Sequence, residues 1–192
     1  MRRNVIRGVF AIIFSLISIF SWGQNDIQYQ SKALKKVLRK ADIPNFSTIE
    51  EISLEDTAKQ NYKLQGKFFE IKSDISQYKY IYVGRVNSCR AGGCSTSFKI
   101  PKGGESEYFD YFILFDRNKT VQLVKVFNYQ STHGYEITSR GWLKQFIGHN
   151  GTEPLEVNKN IDAISGATIS VYAITFDVEM KIKILKSLLI LY

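Results

Sequence analysis

The chain is poor in the side chains that most often carry catalytic or metal chemistry. Of 192 residues only two are histidine, His133 and His149, and only two are cysteine, Cys89 and Cys94. Two cysteines and two histidines far from them in the sequence do not resemble the ligand spacing of a zinc site. The cysteines stand as C-x4-C, so the C-x-x-C of thioredoxin-like sites is also missing. No Ser/His/Asp arrangement is defensible, and neither a P-loop nor a glycine-rich dinucleotide fingerprint occurs. Three prolines, no internal repeat and no low-complexity tract exclude a Pro-rich linker or a solenoid. The apolar run from Val9 to Phe20 is shorter than the roughly 20 residues of a comfortable membrane-spanning helix. The formal net charge of +8 is scattered rather than clustered, and no nucleic-acid motif accompanies it.

That apolar run follows Arg2, Arg3 and Arg7 and precedes Ser21-Trp22-Gly23, whose small residues suit a signal peptidase. Residues 1–23 therefore read as a secretory signal peptide cleaved before Gln24, with an uncleaved membrane anchor as the alternative. The expected location is outside the cytoplasm, in the periplasm or on the outer face of the cytoplasmic membrane. Cleavage removes three arginines and no acid, leaving +5. Acidic lipid or an acidic redox partner would suit such a surface, although a solvated basic face is the ordinary use of scattered charge. An oxidising compartment favours a structural Cys89–Cys94 disulfide, with Gly92 and Gly93 easing a small ring. The loop-entropy gain of so short a ring is only roughly 2 kcal/mol. The sharper alternative is a redox-active pair in which Arg85 and Arg90 favour a thiolate.

Ser31 to Asp42 carries Leu34, Val37, Leu38 and Ala41 at helical spacing, and Ile43-Pro44-Asn45 stops it. Ser47-Thr48-Ile49-Glu50 has the form of a capping box and predicts a short second helix. Residues 24–63 thus read as a helical extension. From Leu64 the pattern turns to strand: Lys67 to Ile71, then Tyr78 to Val86. Tyr111–Phe115 and Val121–Phe127 form the clearest hairpin, turning at Asp116-Arg117-Asn118-Lys119. Val121 and Leu123 are expected on one face of its second arm, Val124 and Val126 on the other, so both faces should be covered. Leu155 to Val157 reads as a short strand. Val171, Ile174, Val178, Ile182, Leu185 and Leu189 then recur at steps of three and four, and Met180, Ile184 and Leu188 widen the stripe. The expected class is α+β, antiparallel β-hairpins packed with a long C-terminal helix, forming one domain over residues 64–192.

Directly before that helix lies Asp162-Ala163-Ile164-Ser165-Gly166-Ala167-Thr168. Gly166 and Ala167 permit a tight turn and close approach of a bulky group. Thr168 offers a hydroxyl where the first free N–H groups of a helix would favour a phosphate. Capping logic alone makes the stretch a turn and N-cap, and Ser170 is a second hydroxyl that could cap the helix.

Asp-x-x-Ser-Gly-Ala-Thr resembles the acceptor motif of the FMN-binding domain family, which includes the covalent-flavin subunits of the sodium-pumping quinone reductase and of the Rnf complex. The resemblance covers the chain from about Leu64 onward. It implies covalent FMN, joined as a phosphoester to Thr168 by a separate flavin transferase that uses FAD and magnesium. It makes Asp162, Ser165, Gly166 and Ala167 recognition residues. It also points to the region 132–146, where Gly134 would let backbone approach the flavin ring. There Tyr135 and Trp142 would border the ring and His133 would donate to a flavin oxygen or the phosphate. The implied function is an exported electron-transfer flavoprotein, a carrier rather than a stand-alone enzyme, with membrane or periplasmic donors and acceptors. Two rivals remain at this stage: a secreted thiol–disulfide protein using Cys89 and Cys94, and a binding module that keeps the fold without flavin.

Overall fold

The computed structural model describes residues 26–43, 45–54, 64–73, 76–90 and 106–188. The leader expected over residues 1–23 and Cys94 lie outside these residues, as does Leu189; of Cys89 the backbone alone is described. Among the described residues no helix is long and apolar enough to cross a membrane.

One antiparallel sheet organises the chain. Its strands are β1 (Ile49–Glu51), β2 (Gly66–Ile71), β3 (Tyr80–Arg90), β4 (Ser106–Phe115) and β5 (Val121–Gln130), and each pairs with its sequence neighbour. Helix α1 (Lys32–Lys40), the short α2 (Arg140–Leu143) and the long α3 (Thr168–Leu188) complete the fold. The class is α+β, with the antiparallel strands and long C-terminal helix that the sequence implies.

The two sheet faces have separate cores. Phe68, Tyr82, Phe109, Tyr111, Ile113 and Phe115 cluster with Val171, Ile174, Val178 and Ile182 of α3. Ile71, Ile81, Val83, Phe112 and Leu114 cluster with Leu34 and Leu38 of α1. The alternation along β4 follows from the two-residue side-chain period of a strand. Covering both faces explains why β4 is buried without a break from Phe109 to Phe115. Each of the four α3 residues has no exposed area, and full burial of such a side chain is worth roughly 1.5–3 kcal/mol.

Four local expectations change. Helix α1 starts one residue later than the apolar pattern, because Ser31 is its N-cap and accepts from the Leu34 N–H at 3.2 Å. The predicted second helix is instead one 3₁₀ turn, Phe46–Thr48, followed by β1, whose Ile49 lies opposite Ile71. A free edge of β2 offers backbone partners and a place for Ile49, and these outweigh the capping-box pattern. Leu155–Val157 is no strand but contributes a single bridge, Val157 to Ile161. In β5, Val121 joins Val124 and Val126 in the core under α3, while Leu123 packs on the opposite face. The ladder skips from Leu114–Leu123 to Phe115–Val121, so Gln122 is an inserted residue and reverses the side-chain alternation. The two-sided covering of β5 stands.

Candidate functional site

The acceptor-like loop is held by its backbone. Asp162 donates its N–H to Gln145 Oε1 at 2.7 Å and accepts from the Trp142 indole Nε1 at 2.8 Å. Trp142 and Gln145 come from α2 and the 3₁₀ turn that follows it, Lys144–Phe146. They are three residues apart, so one helical face presents both. The Trp142 ring meets Phe146 edge to face at 5.5 Å. It is half-buried, with its polar end directed at the loop. Ile161, just before Asp162, is buried in the core. The loop is therefore fixed at its entrance, while the Asp162 side chain remains exposed.

Beyond Asp162 the chain turns at Gly166, with φ +81°. A side chain would be strained in that conformation. A Cβ built at Gly166 would meet nothing within 4 Å, so the outside of the turn is open. The Ala167 N–H closes the turn on Ile164 O at 3.1 Å, and Ala167 is itself buried, which sets the helix start against the core.

Thr168 is the first residue of α3 and is exposed. Val171 donates to Ala167 O at 2.9 Å as the first satisfied helix N–H. Among the described residues the N–H groups of Thr168, Ile169 and Ser170 have no partner, and the first turn of α3 carries no acidic side chain. Such an end of a 21-residue helix presents positive partial charge and free donors to an anion.

Ser170 takes another role. It is buried, and its hydroxyl pairs with the Tyr129 hydroxyl at 3.1 Å. Tyr129 Oη also donates to the His133 carbonyl at 2.5 Å, and burial raises the Tyr129 phenol above its ordinary range. The loop before Tyr135 is thereby tied to the start of α3. Gly134, at φ +87°, makes the approach possible: a Cβ there would stand 2.7 Å from Ser170 Oγ. Its close backbone contact in this structure is with the helix. The His133 side chain is exposed. Tyr135 is 67% exposed and meets Tyr129 edge to face at 5.5 Å. Tyr172 and Phe176, one and two turns beyond Thr168, are 52% and 67% exposed. Exposed rings therefore accompany the first two turns of α3.

The structure brings together Asp162, Ser165, Gly166, Ala167 and Thr168, with Trp142 bonded to the loop and Gly134 against its helix. Sequence reasoning passed over Gln145 and Tyr129. The spacing of Gln145 from Trp142 on one helical face could have suggested the first, but the second depends on a contact between residues 41 apart in sequence. Arg85 is the residue that, with Arg90, the alternative redox-active reading of the cysteines would use. It grips Asp110, with Nε 2.6 Å from Oδ1 and Nη2 3.0 Å from Oδ2, while Asn128 donates to the same carboxylate at 2.8 Å. A guanidinium so held is committed to a carboxylate and is not free to favour a thiolate. The Cys89–Cys94 pairing lies outside the described residues.

Comparison with known proteins adds one match: residues 106–180 fit the family model described as the FMN-binding domain. The span runs from the start of β4 into the middle of α3 and includes the whole acceptor-like loop. No curated protein matches the chain.

Proposed function

We propose that this protein, whose residues 106–180 match the family model of the FMN-binding domain, carries its FMN covalently, as a phosphoester on the Thr168 hydroxyl. The observation that carries this reading is the combination at Thr168 of an exposed hydroxyl, unpaired helix N–H groups and an open turn at Gly166. The residues present fit the group. A phosphate on Thr168 Oγ1 would lie against the leading N–H groups of α3, where negative charge is favoured. The open side of Gly166 leaves room for a large substituent. Ser165 is exposed beside the turn, and Ala167 seats the helix start. Tyr135, Tyr172 and Phe176 offer exposed aromatic faces to a flat ring. His133, two residues before Tyr135, is exposed and is that loop's candidate donor.

Bound FMN would supply one- and two-electron transfer, and the protein's part is to retain it and set its surroundings. The working protein is then an electron carrier. A covalent bond suits an exported carrier, because a dissociated flavin outside the cytoplasm would be lost. The bond itself requires a separate flavin transferase that uses FAD and magnesium: the Thr168 oxygen displaces AMP from the flavin-side phosphorus of FAD, the pyrophosphate bond breaks, and the hydroxyl proton is released. The exposed Asp162 carboxylate, on a loop braced by Trp142 and Gln145, is the residue suited to present the hydroxyl or bind that magnesium. Electron donor and acceptor belong to the membrane or the periplasm in this reading.

Intact-mass spectrometry tests it. The exported protein, co-expressed with a flavin transferase, should gain the mass of FMN less one water and stay yellow after denaturation. Thr168→Ala should show neither, while Ser170→Ala keeps both. A wild-type protein without the adduct, or an adduct that persists in Thr168→Ala, overturns the assignment.

A further inference from the structure

A cavity of about 540 Å³ opens between α1, β5 and the α2 segment, away from the flavin-acceptor loop. Five cations stand around it: Lys36 and Lys40 from α1, Lys125 from β5, Arg140 from α2, and Lys144 just after it. No aspartate or glutamate lines it. Among the described residues none of the five takes part in an ion pair. Elsewhere on the sheet and on α3, Lys67, Lys72, Lys79, Arg85, Lys181 and Lys183 each have a carboxylate within 4 Å. The lining between the cations is largely apolar, with Leu123, Leu143 and Ile147, the last 44% exposed, alongside the uncharged polar Gln77, Gln122 and Thr138.

Five like charges around one cavity repel one another unless an anion joins them. A bare inorganic anion would answer the charge and leave the apolar floor wet. A molecule with a phosphate beside hydrocarbon answers both. The placement in the chain agrees: α1 begins at Lys32, only twelve residues after the apolar run ends at Phe20. In the uncleaved form, with that run in a bilayer, the tether would span at most roughly 40 Å at full extension; in the cleaved form the charge of the groove alone argues for the membrane.

We propose that this cavity is a docking site for the anionic phospholipid headgroups of a membrane surface, with the glycerol and first acyl carbons against Leu123, Leu143 and Ile147. The same short segment faces two ways. Trp142 and Gln145 brace Asp162, while Arg140, Leu143 and Lys144 face the groove. A bilayer at the groove would thus lie one helical segment from the acceptor loop. The inference goes beyond the flavin reading and does not rest on it.

Vesicle flotation of the full chain, with or without flavin, tests it. Phosphatidylcholine vesicles set the baseline that the apolar run alone would give. Vesicles of one part phosphatidylglycerol to two parts phosphatidylcholine should bind at least tenfold more strongly at low salt, since each basic side chain at an anionic surface adds roughly fivefold. Lys125→Gln/Arg140→Gln/Lys144→Gln should remove most of that preference. Lys32→Gln/Arg39→Gln/Lys119→Gln, which removes as much charge outside the groove, should keep most of it. Three results overturn the proposal: no preference for anionic vesicles, as for a surface meant for an acidic protein; equal losses in the two triple variants, as for undirected basic charge; or release by inorganic phosphate beyond that by chloride at equal ionic strength, as for a free-anion site.

Discussion

The first turn and the middle of α3 use the same helix in opposite ways. At the first turn Thr168 is exposed, three N–H groups are unpaired and the preceding glycine faces open space. Two turns on, Asp177 receives the Tyr111 hydroxyl at 2.5 Å on one oxygen and Lys181 Nζ at 2.5 Å on the other. Lys181 Nζ also lies 5.1 Å from the centre of the buried Tyr82 ring. Lys181 is 4% exposed and Tyr111 has no exposed area. The charged groups in the middle are paired and bear on stability, although the buried Thr175 hydroxyl beside them has no partner among the described residues; the donors at the first turn are unmatched, as the proposed acceptor role requires. A site that must accept a new covalent group needs free donors and space, whereas a core tolerates charge only when it is paired.

Changes along the helix should separate the two roles, with the cost to the fold falling toward the acceptor. Asp177→Ala leaves a buried lysine without its partner and should cost about 3–5 kcal/mol in urea unfolding, while whatever folds still loads flavin on Thr168. Tyr111→Phe removes a hydrogen bond to a charged group and should cost about 1.5–3 kcal/mol. It also carries a pH signature. Burial, and then Asp177, hold the Tyr111 phenol well above its ordinary value, and burial does the same for Tyr82. The folded state keeps these protons after the unfolded chain releases them. That stability is fully present below the unfolded phenol pKa of about 10 and is lost as pH rises beyond it. Tyr111→Phe should flatten this alkaline loss without abolishing it, since Tyr82 remains; an unchanged slope in alkaline unfolding would contradict the account.

Trp142→Phe keeps a ring beside Phe146 but deletes the N–H to Asp162 O. It should cost about 1 kcal/mol and slow flavin loading measurably in a timed mass assay, because the loop loses one of its two braces. Thr168→Ala should move the unfolding midpoint least, by within about 0.5 kcal/mol, while abolishing the adduct completely. If Thr168→Ala were instead as destabilising as Tyr111→Phe, the hydroxyl would have a structural duty and the contrast between the two regions would fail.

Much of this was legible in the chain. The hairpin of β4 and β5 follows from two apolar runs around Asp116, whose Oδ1 takes the N–H groups of Asn118 and Thr120 at 2.8 and 2.9 Å. The α3 stripe and the acceptor-like loop are likewise local patterns. What was not legible depends on distant partners. The edge of β2 makes Ile49–Glu51 a strand despite its helix-cap signature. One inserted residue at Gln122 moves Val121 to the other face. A helix-face Trp142 reads more readily as core than as a flavin neighbour until its N–H is seen on Asp162 O.

The sequence by itself determined the α+β class, the long terminal helix and the small-residue loop with its acid and hydroxyl. These rest on periodicity and turn chemistry, which act over a few residues. Only the tertiary structure decided which hydroxyl is free. Thr168 and Ser170 differ by two positions, and that step of about 200° around the helix turns one to solvent and the other into the contact with Tyr129. The same packing placed Trp142 and Gln145 on either side of the Asp162 backbone, because a loop's polar groups near a core must find partners and the nearest ones came from another part of the chain.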